Sequence, residues 1–354
     1  MGWVKGENQL FRVKPPGVAR ISTKFRLYSV VISNIKIDNE RMTLLYSARC
    51  FLDHETGQHP ECADRIRAIP QRLEEAGLLA KFKRPAFKPV SRQRLARVHS
   101  PGYIDEIRAY AKSGGGHIES DTIVSPASFE VALLAAGCVC DAAERIVRGE
   151  DTQAVCLVRP PGHHAMPSHA MGFCIFNNIA VAARTAVDSL GLGRVLIVDW
   201  DVHHCNGTQA TFWEDSQVGV LSIHRWPFYP GTGDEDEIGG GPGLGTTLNL
   251  PVQYGTSRKD YLTRFRDNLD RFAAKIKPEL VLISAGFDTH IADPIGNLGL
   301  ETEDFITLTN AVLDVASTYA NGRVVSVLEG GYNPDALADC VTVHLEEMLK
   351  RAKS

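Results

Sequence analysis

"VLIVDWDVHHCNGTQ", from Val195 to Gln209, joins an apolar run directly to two aspartates and two adjacent histidines. An apolar run without polar alternation is typical of a strand buried on both faces of a parallel sheet. Alternate residues of an extended chain point the same way, so Asp199, Asp201 and His203 are predicted to share one face. Because burying an unpaired ion is costly, this cluster is predicted to be solvated, mutually paired or bound to a cation.

The rest of the chain repeats this pattern of strand followed by helix. Similar apolar runs occur at 152–158, 217–223, 279–285 and 323–329, and amphipathic helical patterns occur at 128–149, 178–191, 258–276 and 302–322. Such alternation predicts one α/β domain over residues 42–354, with a mostly parallel sheet and helices on both faces. The glycine-rich stretch 238–247 lacks the lysine and the spacing of a phosphate-binding loop, and we interpret it as a surface loop.

Composition excludes several classes of function. A net charge of −4 over 354 residues gives no basic face for nucleic acid, so direct nucleic-acid binding is not expected. Eight cysteines without a CxxC pair indicate reduced thiols and a cytoplasmic protein. No apolar run approaches the roughly 18 residues of a membrane span, so no membrane association is expected.

Residues 1–41 differ from the rest, with eight Lys or Arg against three Asp or Glu. This basic N-terminal extension has three interpretations: a targeting segment, an ordered extension, or sequence upstream of a true start at Met42. Organellar targeting therefore remains an alternative to the cytoplasm.

Chemically distinctive residues follow each predicted strand. His163 and His164 follow the run at 152–158, Asp288 follows the run at 279–285, and Tyr332 follows the run at 323–329. Ligands of open α/β sheets bind at the carboxyl ends of the strands. We therefore expect Asp288 to join Asp201 and His203 around one cation, either zinc or iron(II). The alternative is a hydrogen-bonded polar network at the edge of the sheet.

The adjacent histidines can divide two tasks between them. Neighbouring residues in extended chain point opposite ways, so one imidazole can act on a substrate while the other supports it. Asp199 and Asn206 are the available acceptors for their second ring nitrogens. Tyr332, between two glycines and an asparagine, has room to reach a site, although simple packing is equally compatible with the sequence.

Four blocks resemble the signature motifs of the histone deacetylase superfamily. They are "VRPPGHHAMPSHAMGFCIFNNIAVAAR" (158–184), "VDWDVHHCNGTQ" (198–209), "SAGFDTHIADPIGNLGL" (284–300) and "LEGGYN" (328–333). The resemblance covers most of 42–340 and is greatest to the class II and bacterial histone deacetylase-like amidohydrolase branch. It implies an arginase–deacetylase fold with about eight strands. It also implies a zinc-dependent amidohydrolase that removes acetyl groups from amines, foremost the acetyl-lysine of proteins or peptides, or alternatively acetylpolyamines and other small acetylated amines.

The resemblance also implies individual roles. Catalysis falls to His163, His164 and Tyr332, with His164 as the proton shuttle and His163 as the electrostatic helper. The metal ligands are Asp201, His203 and Asp288, supported by Asp199 and Asn206. The substrate tunnel is lined by Gly172, Phe173, Tyr229 and Ile295. Structural potassium is implied at two sites, one at Asp199, Asp201, His203, Ser222 and Ile223, and one near Phe212, Asp215 and Val218.

Two positions depart from the family pattern. Cys205 stands where the family usually has glycine, which predicts backbone strain if this position needs a positive φ. Alternatively, Cys205 is a thiol close to the metal and open to oxidation. Pro101 stands where some relatives have an aspartate that holds the substrate backbone, which argues against that mode of peptide recognition.

Other functions remain as alternatives. A two-metal ureohydrolase would need more bridging carboxylates than the sequence offers, and a catalytically silent binding protein would not need all of these side chains. A homo-oligomer is compatible with the sequence.

Overall fold

The computed structural model describes residues 43–352. The predictions for the basic extension, residues 1–41, lie outside these residues. No helix in the described part of the chain is both long and apolar enough to cross a bilayer.

A parallel seven-stranded sheet forms the centre of the fold, in the order β1-β4-β9-β8-β5-β6-β7. Its strands are β1 (Leu44–Tyr46), β4 (Gln153–Cys156), β5 (Val195–Asp199), β6 (Val218–Arg225), β7 (Thr247–Val252), β8 (Leu280–Ala285) and β9 (Val324–Leu328). A separate antiparallel pair consists of β2 (Gly116–His117) and β3 (Ile123–Val124).

Helices cover the sheet in two groups. They are α1 (Asp64–Glu75), α2 (Arg92–Leu95), α3 (Pro101–Lys112), α4 (Ser128–Val147), α5 (Asn178–Asp188), α6 (Asn206–Phe212), α7 (Arg258–Ile276), α8 (Asp304–Tyr319) and α9 (Pro334–Ala352). Helices α4 and α5 pack on each other, whereas α7, α8 and α9 form a second group with α1. The strands β5, β8 and β9 are buried along their whole length, which explains their mainly apolar sequence without alternation.

The five predicted strands and four predicted helices are confirmed, and the sheet differs from expectation at its edges. Within residues 43–352 it has seven strands, where the resemblance implied about eight. At the edge formed by β1, the segment around Lys83 makes a single parallel bridge to Leu44 and does not form a further strand. At the other edge, the predicted surface loop 238–247 ends inside β7, which begins at Thr247 and was not predicted.

Candidate active site

The polar residues that follow the strands meet at one edge of the sheet. Asp199 ends β5, in register with Ser222 of β6 and Ser284 of β8. Asp201 and Asp288 lie just beyond the ends of β5 and β8. The parallel arrangement therefore brings the predicted side chains together, as the sequence pattern indicated.

Asp201, His203 and Asp288 form the centre of the site, with one potential ligand atom from each within 4.8 Å of the others. The Nδ1 atom of His203 lies 2.9 Å from Asp201 Oδ1 and 3.2 Å from Asp288 Oδ2. All three residues are buried. Two carboxylates and one imidazole are a donor set that zinc accepts, and that also suits iron(II).

The Asp288 carboxylate fits a metal ligand for a second reason. Its Oδ2 atom, although close to His203, has no partner with hydrogen-bonding geometry among the described residues. Burial, followed by the charge of Asp201, raises the pKa of Asp288 to about 7. A Cβ atom at Gly330 would lie 2.1 Å from Asp288 Oδ2, so only glycine lets the chain pass here. A bound cation would satisfy the buried oxygen and relieve the repulsion between the carboxylates.

His163 is paired with the buried carboxylate of Asp199, with 3.0 Å between Nδ1 and Oδ2. Burial by itself would lower the pKa of His163, but Asp201 and Asp199 outweigh burial and raise it to about 10. The backbone of this segment is also fixed, because Glu329 Oε2 accepts the N–H groups of Gly162 at 2.7 Å and His163 at 3.2 Å. His163 is thus held in place by Asp199 and by these backbone bonds.

His164 has the opposite electrostatic character. Burial, together with the positive charges at His163 and His203, lowers its pKa well below the ordinary value. Its Nδ1 atom lies 2.7 Å from Asn206 Oδ1. The amide nitrogen of Asn206 faces the sulfurs of Met166, at 3.4 Å, and Met171, at 3.2 Å. His164 is therefore a neutral imidazole with a fixed partner for one nitrogen.

A second group of donor atoms, from His163, Cys174 and Glu329, also lies within 4.8 Å. These donors are engaged in other ways: His163 pairs with Asp199, Glu329 accepts backbone N–H groups, and burial raises the pKa of the Cys174 thiol. We interpret this group as a network of buried polar residues that supports the site.

Tyr332 is held from two sides. Its backbone N–H donates to Asp293 Oδ2 at 2.6 Å. The buried guanidinium of Arg65 lies 4.9 Å from the centre of its ring and donates to the carbonyl of Gly331 at 2.6 Å. Burial raises the pKa of the Tyr332 hydroxyl well above its ordinary value, although Arg65 opposes this, so the hydroxyl stays protonated.

A cavity of about 250 Å³ leads to these residues. It is lined by Asp121, His164, Gly172, Phe173, His203, Phe228, Tyr229, Ile295 and Tyr332. All four predicted tunnel residues are among them. The walls are mainly aromatic and aliphatic, whereas Asp121, the two histidines and Tyr332 supply polar atoms.

Three residues of this region were not predicted, namely Asp121, Thr122 and Phe228. Asp121 Oδ1 accepts the N–H of Gly172 at 3.2 Å, and Thr122 Oγ1 accepts the N–H of Phe173 at 3.0 Å. These bonds hold Phe173 at φ 68°, a strained value for a residue with a side chain. Asp121 and Thr122 precede α4 and do not follow a strand of the central sheet. A prediction based on the ends of the strands therefore misses them.

The structure corrects both expectations about the departures from the family pattern. Cys205 has φ −78° and ψ 57°, so its Cβ causes no strain. Its thiol is fully buried, and burial raises its pKa well above the ordinary value, which argues against oxidation. Pro101 begins α3 and does not line the cavity, but Asp121 does, so a carboxylate is present at the cavity after all.

The residues implied for potassium form two groups. Ser222 and Ile223 lie within β6, where Ser222 is in register with Asp199, and the Ser222 hydroxyl lies 2.9 Å from Nδ1 of His224. In the other group, Asp215 donates its N–H to the carbonyl of Phe212 at 3.0 Å, and Asp215 Oδ1 accepts the N–H of Val218 at 3.0 Å. The carboxylate of Asp215 is also paired with Arg184.

Known proteins resemble this chain in sequence and in fold. The family model "Histone deacetylase domain" matches residues 59–348. A histone deacetylase-like amidohydrolase of Pseudomonas aeruginosa is 36% identical over 82% of this chain and 77% of its own length. Polyamine deacetylase HDAC10 of Homo sapiens is 39% identical over 82% of this chain, but the match covers 45% of that larger protein.

A solved structure, the HD domain of HDA15, superimposes with a TM-score of 0.84 at 36% identity. The superposition covers 89% of this chain and 90% of that domain. The predicted architecture is therefore confirmed by a related experimental fold. The chain belongs to the histone deacetylase family of hydrolytic deacetylases.

Proposed function

We propose that this protein is a zinc-dependent deacetylase of N-ε-acetyl-lysine in proteins or peptides. One observation carries the proposal: the buried Asp201–His203–Asp288 group and Tyr332 lie at an apolar cavity that suits the methylene chain of lysine. Asp201, His203 and Asp288 would hold the metal. When bound, zinc supplies a Lewis acid that polarises the acetyl carbonyl and lowers the pKa of a water molecule.

The two histidines would divide proton transfer and charge stabilisation. With Nδ1 occupied by Asn206, neutral His164 presents Nε2 as the base that takes the proton of the attacking water. His163, protonated and held by Asp199, stabilises negative charge that develops on the acetyl group. His164 then returns the proton to the departing amine.

Tyr332 would donate its hydroxyl hydrogen to the acetyl oxygen, since that hydroxyl stays protonated. Phe173, Phe228 and Tyr229 exclude water around the methylene chain. Asp121 is the carboxylate that lines this cavity and would accept an N–H group from the substrate backbone. Ile295 contributes an uncharged, apolar side chain to the wall of the cavity.

The remaining assignments follow from the same family. Potassium would bind at the group around Asp199 and Ser222 and at the group around Asp215, where it would balance buried oxygens. The cytoplasmic location, the domain boundary at residue 42 and a homo-oligomeric state remain predictions.

The test compares an acetyl-lysine peptide with an acetylated polyamine as substrates of the zinc-loaded protein. We expect turnover of the peptide, with a large loss in Tyr332→Phe and none in Tyr319→Phe, a matched change on α8. Turnover of the polyamine alone would overturn the proposed substrate and favour the activity named for HDAC10. Turnover of neither substrate would reject both and favour a silent binding protein.

A further inference from the structure

Asn206 controls the orientation of His164, and two methionines control the orientation of Asn206. An amide can turn either its oxygen or its nitrogen toward a neighbour. Here Nδ2 lies 3.4 Å from the sulfur of Met166 and 3.2 Å from that of Met171. A thioether sulfur accepts hydrogen bonds and cannot donate them, so the NH2 group must face the two sulfurs.

This arrangement determines which nitrogen of His164 carries hydrogen. With the amide nitrogen facing sulfur, Oδ1 faces His164 Nδ1, 2.7 Å away. An oxygen acceptor requires a hydrogen on Nδ1, which leaves the lone pair of Nε2 free. The backbones that carry the sulfurs are fixed as well: Met171 forms a bridge with Cys174, and Met166 donates its N–H to the carbonyl of His169 at 3.0 Å.

These two methionines are also the accessible ones. Among the described residues the methionines are Met166, Met171 and Met348, of which the first two are half-buried and Met348 is completely buried. Cys174 and Cys205, close to the site, are buried thiols that compete poorly for an oxidant.

We propose that Met166 and Met171 form a peroxide-sensitive modification site, whose oxidation to the sulfoxide displaces Asn206 and thereby disturbs His164. The sulfur lone pair attacks one oxygen of a hydroperoxide, the O–O bond breaks, and an S–O bond forms. Sulfur loses two electrons, and the peroxide is reduced to water or an alcohol. The added oxygen enters a sulfur–nitrogen contact of 3.2 Å, so the amide has to move.

The experiment treats the zinc-loaded full chain with hydrogen peroxide, maps sulfoxides by peptide mass spectrometry and measures kcat on an acetyl-lysine peptide. We expect kcat to fall about tenfold as sulfoxide forms at residues 166 and 171, a loss typical of supporting residues around a catalytic imidazole. Dithiothreitol should not restore activity, which separates this lesion from cysteine oxidation, whereas methionine sulfoxide reductases should restore it.

Variants make the assignment specific. Met166→Leu/Met171→Leu loses both sulfurs and is expected to start from a lower kcat that peroxide does not reduce further. Met348→Leu, the matched control at a buried methionine, should respond to peroxide like the unmodified chain. Sulfoxide at both positions with unchanged kcat, or an equal peroxide loss in the double variant, would overturn the proposal.

The activity readout rests on the proposed function, so a second readout is needed. Nitrogen-15 NMR of labelled histidine reports the Nδ1–H form of His164 whether or not any substrate turns over. We expect the His164 resonances to shift upon oxidation of the protein without substitutions and to stay unchanged when the double variant is treated in the same way. Unchanged resonances in fully oxidised protein would contradict the inference, independently of deacetylation.

Discussion

The carboxylate of Asp293 connects the cavity wall to Tyr332. One oxygen accepts the backbone N–H of Tyr332 at 2.6 Å, and the other accepts the N–H groups of Ile295 and Gly296, each at 2.9 Å. The residue is buried, so these bonds are shielded from water. Asp293 therefore fixes the position of Tyr332 relative to the wall formed by Ile295.

Asp293→Asn should lower kcat about tenfold with little change in KM, because an amide presents NH2 to one of these N–H donors. Steady-state kinetics on an acetyl-lysine peptide measures the effect, with exposed Asp236→Asn as the control. If Asp293 acts through Tyr332, the loss should disappear in a Tyr332→Phe background. An equal loss in both backgrounds would show a separate role.

Cys205→Gly should destabilise the protein, contrary to the expectation from the family pattern. The position has φ −78°, so glycine relieves no strain, and it removes a fully buried side chain at the start of α6. We expect a decrease of about 2 kcal/mol in the free energy of unfolding, measured by urea denaturation. Cys205→Ala isolates the side-chain contribution. A more stable glycine variant would show that the loop is strained after all.

Acid should unfold the protein because the folded state buries neutral histidines. Burial lowers the pKa of His54, His99 and His204 to about 4, and of His224 and His344 to about 3. The unfolded chain takes up these protons near pH 6.5, so stability is lost as the pH falls below that value. Each histidine accounts for about 2 kcal/mol at pH 5.

The pH dependence of the urea midpoint measures this uptake of protons. His344→Gln should reduce the number of protons taken up on unfolding by about one between pH 6.5 and pH 4, because the substitution removes one of the titrating groups. His344 bonds to Thr309 and Ser326 and is not one of the proposed metal ligands, although its ring contacts Trp200 and Phe287. Both proteins are therefore compared after zinc has been removed, so that loss of metal does not enter the difference. Identical slopes for the two proteins would contradict the assignment.

Glu61→Gln should destabilise the fold strongly. Glu61 is completely buried between Arg65 and Arg159, at 3.1 Å from Arg65 Nη1 and 2.5 Å from Arg159 Nε. Its burial is outweighed by Arg159, His54 and Arg65, which lower its pKa to about 2. Removing the charge leaves two buried cations uncompensated, which we expect to cost about 3–5 kcal/mol in urea unfolding. Exposed Glu75→Gln should change little, and a comparable loss there would refute the explanation.

Zinc should stabilise the fold through the three proposed ligands. Binding at a thousandfold excess over Kd adds about 4 kcal/mol to the unfolding free energy, so chelation should lower Tm and zinc should restore it. Asp201→Asn should abolish the effect. Affinity should fall as the pH drops from about 9, because protons on His203, whose pKa is raised to about 9, and then on Asp288, whose pKa is raised to about 7, compete with the metal. Equal stabilisation of Asp201→Asn would place the metal elsewhere.

The sequence by itself determined the central strands of the sheet and the convergence of the predicted site residues. Parallel strands align their carboxyl ends, so residues that follow strands, such as Asp201 and Asp288, meet wherever the loops go. Their chemistry could be inferred because few donor sets suit a buried cation.

Only the tertiary structure decided how those side chains are held. Asp293 reaches Tyr332, and Met171 reaches Asn206, through contacts between segments separated by 39 and 35 positions. The φ value of Cys205 and the position of Asp121 depend likewise on the paths of loops. The periodicity of the sequence does not indicate such contacts. Loop conformations follow from packing against the finished sheet, whereas the formation of individual strands follows from the local pattern of apolar residues.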